Sequence, residues 1–390
     1  MRALARLRAG LRLYNLAAKA RMLLAGGVVK LRPKGALKGH VLFSYITLPF
    51  TVASKDAFDG HTNLWECRDM AHAFLERGYA VDVIDWTNKT FTPKKRYTYF
   101  LDIHANMERV APLLNKDCVK ILHTTGAHFL FHNTAEYQRL LDVQKRRAKT
   151  LIPRRAVVPS YGIEHADVVT MLGNEFTEGT YAYAGKHIIR IPLSSTHTYP
   201  SPAEKNFERA RKGFVWFGGS GMVHKGLDLV LEAFAHMPEC QLTICGKVAN
   251  EKDFVEAYKK ELYETPNIRV AGLTDPGGDT YKDICTSAVA LVYPSSSEGQ
   301  SGAVITTMHA GLIPIISYQS GVDVEDFGSI LTENTIEEIR RAVRAIASLP
   351  DEELRARSMK AWHYARGHHT REKFAAAYRS FVDMLEKSKK

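Results

Sequence analysis

Chemistry in this sequence is concentrated in three glycine-rich segments and a few charged side chains: DAFDGHTN from Asp56, FGGSGMVHKG from Phe217 and SSSEGQSG from Ser295. SSSEGQSG follows the apolar run AVALVYP and precedes the helical pattern GAVITTMHAG, so free backbone N–H groups and the positive end of a helix dipole meet at that turn. Phosphate is the natural occupant of such a place. Lys225, behind FGGSGMVH and just before Gly226, would supply a full positive charge to the same group. None of the three turns has the GxGxxG spacing of a dinucleotide site or the Gly-Lys-Ser/Thr ending of a P-loop, which counts against a nicotinamide enzyme and an ordinary ATPase.

The histidines allow two readings. His128 and His132 stand four apart, as two metal ligands on a helix do, but the FLF between them lacks the glutamate that a hydrolytic zinc helix needs. The chain also contains no Asp-x-Asp pair to hold a divalent ion on a diphosphate, so neither a metal nor a cofactor is expected. His363, His368 and His369 are assigned to surface or helix-end positions. The basic runs KRRAK from Lys145 and PRRAV from Pro153 read as solvated faces, and without interleaved aromatics nucleic acid ranks low as a partner.

These residues need a scaffold. The length of 390 residues suits two α/β domains better than one. From Val41 short β-branched or aromatic runs alternate with amphipathic helical stretches, the mark of βαβ units and parallel sheets. Strands are expected at VLFSYI, VDVIDW, YFLDIH, VKILHT, DVVTML and HIIRIP, with a helix from Thr62 to Arg77 that stops before Gly78. A polar, proline-marked stretch from Ser194 to Gly213 reads as a linker, after which strands FVWFGG, QLTICG, NIRVAG, AVALVYP and IPIIS repeat the pattern. The expected organisation is a basic leader over 1–38, a Rossmann-like domain over 39–195, a linker over 196–212, a second Rossmann-like domain over 213–365 and a C-terminal helix over 366–390. That helix carries Phe374, Tyr378, Phe381 and Leu385 on one face and is expected to pack back on the first domain.

Five scattered cysteines, none in a CxxC pair, point to a reducing, cytoplasmic setting. The net charge of +11 is concentrated ahead of Asp56. Leu4, Leu7, Leu11 and Tyr14 at helical spacing among arginines describe an amphipathic segment, with no apolar run long enough to cross a membrane. Residues 1–34 would then lie on an anionic membrane face, or serve as a solubilising leader.

FGGSGMVHKGLDLVLEAF, LTICGK, NIRVAGL and LVYPSSSEGQSGAVITTMHAGLIPIIS, in that order, resemble the second domain of the retaining glycosyltransferases of the large family four, which have the GT-B fold. The resemblance is strongest in the second half of the chain and holds in layout from Val41 to Ile191. It implies two Rossmann-like domains facing across a cleft, a nucleotide-sugar donor held mainly by the second domain, and metal-independent transfer with retention to a saccharide or lipid-linked acceptor at the first.

By the same resemblance Lys225 is one member of a basic pair on the diphosphate, while Ser220, next to Gly219, stands where an arginine is usual. Glu298 matches the first carboxylate of the family's Glu-x7-Glu pattern, which holds donor-sugar hydroxyls, and Thr306 replaces the second. Gly299, Gln300, Ser301 and Gly302 would present backbone to the diphosphate. Gly60 and His61 would lie near diphosphate and acceptor, and Gly246, Lys247 and Leu273 near the base. A cleft histidine would approach the donor sugar; His123 and His128 both qualify, and His128 is preferred. The implied catalytic set is His128, Lys225 and Glu298. The alternatives are a sugar-nucleotide epimerase or hydrolase of the same fold, or a non-catalytic subunit for which Thr306 and Ser220 speak.

Overall fold

The computed structural model describes residues 27–51 and 61–388. The runs expected as strands are strands, because β-branched and aromatic side chains cover both faces of a sheet flanked by helices. The first sheet comprises β1 (Val28–Leu31), β2 (Gly39–Tyr45), β3 (Tyr79–Asp85), β4 (Tyr99–Asp102), β5 (Val119–Thr124), β6 (Val168–Met171) and β7 (Ile188–Arg190). Their order is β1-β3-β2-β4-β5-β6-β7, parallel except for β1 against β3. The second sheet comprises β8 (Gly213–Gly218), β9 (Gln241–Gly246), β10 (Ile268–Gly272), β11 (Ala290–Tyr293), β12 (Ile313–Ser317) and β13 (Ser329–Leu331), in the parallel order β10-β9-β8-β11-β12-β13.

In the second sheet the chain runs outward from β8 to β10 and then returns to place β11 on the other side of β8. The crevice between β8 and β11 is therefore a switch point, where the loops at the C-terminal strand ends diverge and a ligand fits. FGGSGMVHKG leaves β8 and SSSEGQSG leaves β11, so the two turns singled out in the sequence flank this crevice.

Seven helices matter for the site: α1 (Thr62–Glu76), α2 (Phe129–Arg147), α3 (Leu227–Phe234), α4 (Gly302–His309), α5 (Ile336–Ala347), α6 (Asp351–His368) and α7 (Arg371–Lys387). The final helix packs on the first domain, as expected. Phe374, Tyr378 and Phe381 are buried, Tyr378 lies edge-on to Phe74, and Arg379 pairs with Asp69 at 2.9 Å and Glu76 at 2.7 Å.

Several features depart from the sequence reading. Val28–Leu31, inside the expected leader, is an edge strand. The amphipathic segment itself lies outside the described residues, as does Gly60. The stretch after Ser194 is not a loose tether: Tyr199, Lys205 and Phe207 are buried, and Lys205 Nζ donates to the carbonyl of Cys285 at 2.8 Å. His369 is buried too, and its Nδ1 meets the carbonyl of Leu193 at 3.1 Å, so the two places where the chain passes between domains lie side by side. All five cysteines are buried, and none forms a disulfide among the described residues. Among the described residues no helix is long and apolar enough to cross a membrane.

Candidate functional site

Gly226 turns the chain into α3 with φ of +74°, and a side chain there would collide with the carbonyl of Pro294. This close approach brings the turn after β8 against the strand end of β11 and aims Lys225 into the crevice. Its Nζ donates to the Tyr293 hydroxyl at 2.8 Å and to Glu298 Oε1. Tyr293 also donates to that oxygen, at 2.9 Å, as does Ser295 at 3.3 Å. Burial disfavours both charges of the Lys225–Glu298 pair, but each partner outweighs it for the other. The Lys225 ammonium, helped by His224 and Arg155, holds the Glu298 carboxyl well below its ordinary range, and Glu298 and Tyr293 raise Lys225. Burial, then Glu298, pushes the Tyr293 phenol up to about 12, so it remains a donor.

The pair has capacity left over. Lys225 uses two of its three donors on Tyr293 and Glu298, and the hydrogen bonds to the Glu298 carboxylate converge on Oε1, leaving Oε2 without a partner among the described residues. An anion and a hydroxyl could therefore be held together here.

A cavity of about 190 Å³ opens beside this pair, and its wall combines Glu298 and Gly299 from the second domain with His128, His132 and Arg155 from the first. The domains meet closely around it. A side chain at Gly299 would strike the Thr125 carbonyl, and Gln300 Oε1 accepts from the Leu193 amide at 2.7 Å. His132 Nε2 faces the Arg155 carbonyl at 2.7 Å and Nδ1 faces the Ser297 hydroxyl at 3.1 Å, which one neutral tautomer satisfies. Burial, with His224 nearby, lowers this ring to about 4. His224 Nδ1 meets Glu136 Oε2 at 2.6 Å and Nε2 meets the Ser297 carbonyl at 2.6 Å, so the ring joins the second domain to a buried carboxylate of the first.

Of the two candidate histidines, His128 lines the cavity. It caps α2, its Nδ1 accepting from the Leu130 amide at 3.4 Å, and its Nε2 reaches the Tyr183 hydroxyl at 3.3 Å. His123 lies within the first sheet, bonded through Nδ1 to Thr170 at 2.9 Å and lowered to about 4 by burial alone. His61 caps α1 through a bond from the Asn63 amide at 3.3 Å.

Gly219 and Ser220 are exposed after β8, Gly246 and Lys247 close β9, and Leu273 follows β10 with 72% exposure. Because β10, β9, β8 and β11 are neighbours, these positions form a row leading to Glu298. The turn after β8 is less open to a ligand than its glycines suggest: the amides of Gly221 and Met222 donate to Glu251, at 2.5 and 3.1 Å. The Ser301 amide is likewise committed, to the Ser320 carbonyl at 2.9 Å. Ser301 N-caps α4 without a side-chain bond, so the first turn of that helix, from Gly302, keeps its amides for another acceptor. Thr306 is buried in α4.

The basic runs are not solvated faces. Arg146 binds Asp228 at 2.7 Å and Glu232 at 3.2 Å, Arg147 binds Glu261 at 2.6 Å, and Arg154 binds Asp253 at 2.7 Å, all from the first domain to the second. Sequence reasoning missed these, together with Glu136, His132, His224 and Arg155. The only signal for His224 was its place beside Lys225. Among the described residues no cluster of three or more His, Cys, Asp or Glu side chains is placed to hold a metal ion.

Residues 211–348 match the family described as "Glycosyl transferases group 1". Sucrose-phosphate synthase from Thermosynechococcus elongatus aligns over 90% of this chain and 99% of its own, at 14% identity and a TM-score of 0.60. The fold is that of the GT-B glycosyltransferases. HepE of Anabaena, solved with UDP and glucose, aligns over 90% of this chain and 100% of its own, at 11% identity and a TM-score of 0.56. TarM, the S. aureus protein, aligns over 73% of this chain at 14% identity and a TM-score of 0.51, and this chain spans 54% of TarM's length. No curated protein matches by sequence. The match at 211–348 contains Lys225, Tyr293 and Glu298, and so takes in the crevice of the second sheet.

Proposed function

We propose that this chain transfers a sugar from a nucleotide-sugar donor to a saccharide or lipid-linked acceptor, with retention of configuration and without a metal ion. The observation that carries the reading is the Lys225–Tyr293–Glu298 cluster, set at the switch point of the second sheet beside a cavity walled by both domains. HepE, a chain of the same fold, is seen with UDP and glucose, which supports a donor of this kind.

In this reading the base lies along Leu273, Lys247 and Gly246, and the diphosphate reaches Lys225 and the uncapped N-terminus of α4. The third donor of Lys225 and the helix amides neutralise the leaving diphosphate, which is the largest contribution a protein makes when charge develops on a departing group. Oε2 of Glu298 accepts from a sugar hydroxyl and fixes the ring. His128 stands across the cavity on the face where the acceptor hydroxyl would enter. A leaving phosphate oxygen takes that hydroxyl's proton as the new bond forms on the same face, so configuration is kept and the protein's task is positioning and charge stabilisation.

The buried cysteines, none in a disulfide among the described residues, fit a cytoplasmic setting, and the basic residues 1–34 fit an anionic membrane face where a lipid-linked acceptor would lie. Cosedimentation with anionic vesicles, compared for the full chain and a version lacking those residues, tests this; equal partitioning removes it. For the reaction itself, incubation with UDP-, GDP-, ADP- and CMP-sugars and an acceptor panel, with and without EDTA, should give one glycosylated product whose anomeric signal by NMR matches the donor's. Nucleotide release without such a product would favour a hydrolase, and an inverted anomer would overturn retention.

A further inference from the structure

Arg155 is held in an unusual way for a surface arginine. Its amide donates to Glu136 Oε1 at 3.1 Å and its carbonyl receives His132 Nε2 at 2.7 Å, so its backbone is fixed by the same residues that join the domains. Its side chain lies against Gly221, where a side chain would meet Arg155 Cδ at 2.8 Å; the φ of +89° and the missing Cβ give the arginine stem its path. The guanidinium lines the cavity with Glu298, and its charge acts on both Lys225 and Glu298. Yet it forms no ion pair among the described residues, and its Nε is buried without a hydrogen-bond partner. The adjacent Arg154 is paired with Asp253 at 2.7 Å.

A half-buried guanidinium whose Nε is shut away from water, with a fixed backbone and no acceptor among the described residues, calls for an anion. Lys225 cannot answer a doubly charged ligand alone, because Glu298 already offsets its charge. On the second domain the turn after β8 offers Ser220, and the basic side chain that precedes Lys225 there, His224, is already engaged with Glu136 and the Ser297 carbonyl.

We propose that Arg155, on the first domain, is the second cation of the donor-diphosphate site, its guanidinium binding phosphate oxygens opposite Lys225. This rests on the nucleotide-sugar reading and deepens it. Because Lys225 belongs to the second domain, a diphosphate held by both residues joins the domains, and donor binding favours the closed arrangement seen here.

The test is calorimetric titration of the full chain with UDP, GDP and ADP and with the corresponding nucleosides, for the wild type, Arg155→Ala, Arg155→Lys and Arg154→Ala. One nucleoside diphosphate should bind the wild type. Arg155→Ala should weaken that diphosphate about tenfold to a hundredfold, the size of a lost charge-assisted hydrogen bond, and leave the nucleoside unchanged. Arg155→Lys should recover part of the loss, since it keeps the charge but not the planar fork. Arg154→Ala should bind as the wild type does. Unchanged diphosphate affinity in Arg155→Ala, equal weakening of diphosphate and nucleoside, or an equal loss in Arg154→Ala would each overturn the assignment while leaving the donor reading standing. Failure of the wild type to bind any of the diphosphates would overturn both.

Discussion

Glu136 of the first domain and His224 of the second meet at 2.6 Å, and the other carboxylate oxygen of Glu136 accepts the amides of Arg154 and Arg155. One buried side chain thus fixes the segment carrying Arg155 and bonds to the residue preceding Lys225. The closed cleft and the placement of both cations depend on it.

Glu136→Gln keeps the shape but removes the charge that matches His224. Losing one partner of a buried ion pair costs about 3–5 kcal/mol. The expected result is a lower Tm together with a larger radius of gyration by small-angle scattering as the domains part. A lower Tm with unchanged dimensions would show the pair to be stabilising without holding the cleft closed.

The Lys225–Glu298 pair is expected to behave in the same way within one domain. Lys225→Ala leaves a buried carboxylate alone, at a cost of about 3–5 kcal/mol. The double variant Lys225→Ala with Glu298→Gln should lose less than Lys225→Ala alone, because the stranded charge is gone. Urea melts of the two variants check this; a double variant that loses as much as Lys225→Ala or more would contradict the coupling.

Much of this was open to reading along the chain. The strands of both sheets are apolar runs bounded by turn residues, and the runs around Lys225 and Glu298 are punctuated by glycine. The strands that escaped notice, Val28–Leu31 and Ser329–Leu331, are short and lie at sheet edges, where the apolar pattern is weakest. Arg146, Arg147, Arg154 and Arg155 looked like solvated charge because their partners, or the cavity they line, belong to the other domain. Nothing local distinguishes a basic run that faces water from one that faces a domain interface. His369 stands at the end of α6, as expected, but it is buried there because its partner is Leu193 at the other crossing.

Gly226→Ala should destabilise the second domain by about 1–3 kcal/mol through its positive φ alone, with the Pro294 contact adding to it. Because the same turn aims Lys225, turnover should fall even at temperatures where the variant remains folded. Equal Tm and equal turnover would show that the turn has another conformation of similar energy.

Glu66 gives a prediction with pH. It is buried on α1, Oε1 accepts the amide and hydroxyl of Ser194 at 2.8 Å each, and Oε2 has no partner among the described residues. Burial, only partly offset by Ser194 and Arg371, pushes its carboxyl up to about 7. The folded state therefore holds this proton between the ordinary carboxylate pKa and about 7, and the contribution is lost as pH rises through about 7. Glu66→Gln removes that loss, so its Tm relative to the wild type should be higher at pH 8 than at pH 5.5, by the equivalent of up to about 2 kcal/mol. A difference independent of pH would place the carboxyl in its ordinary range.

The most direct test of the account is a single-turnover comparison of the wild type and Lys225→Ala with the nucleotide sugar that stabilises the wild type, at a temperature where both are folded. Loss of a preorganised charge contact to a leaving group commonly costs roughly 10²–10³ in rate, and a drop of that size with the nucleoside still bound is the expected result. Equal rates in the two proteins would contradict the central claim that Lys225 stabilises the departing diphosphate.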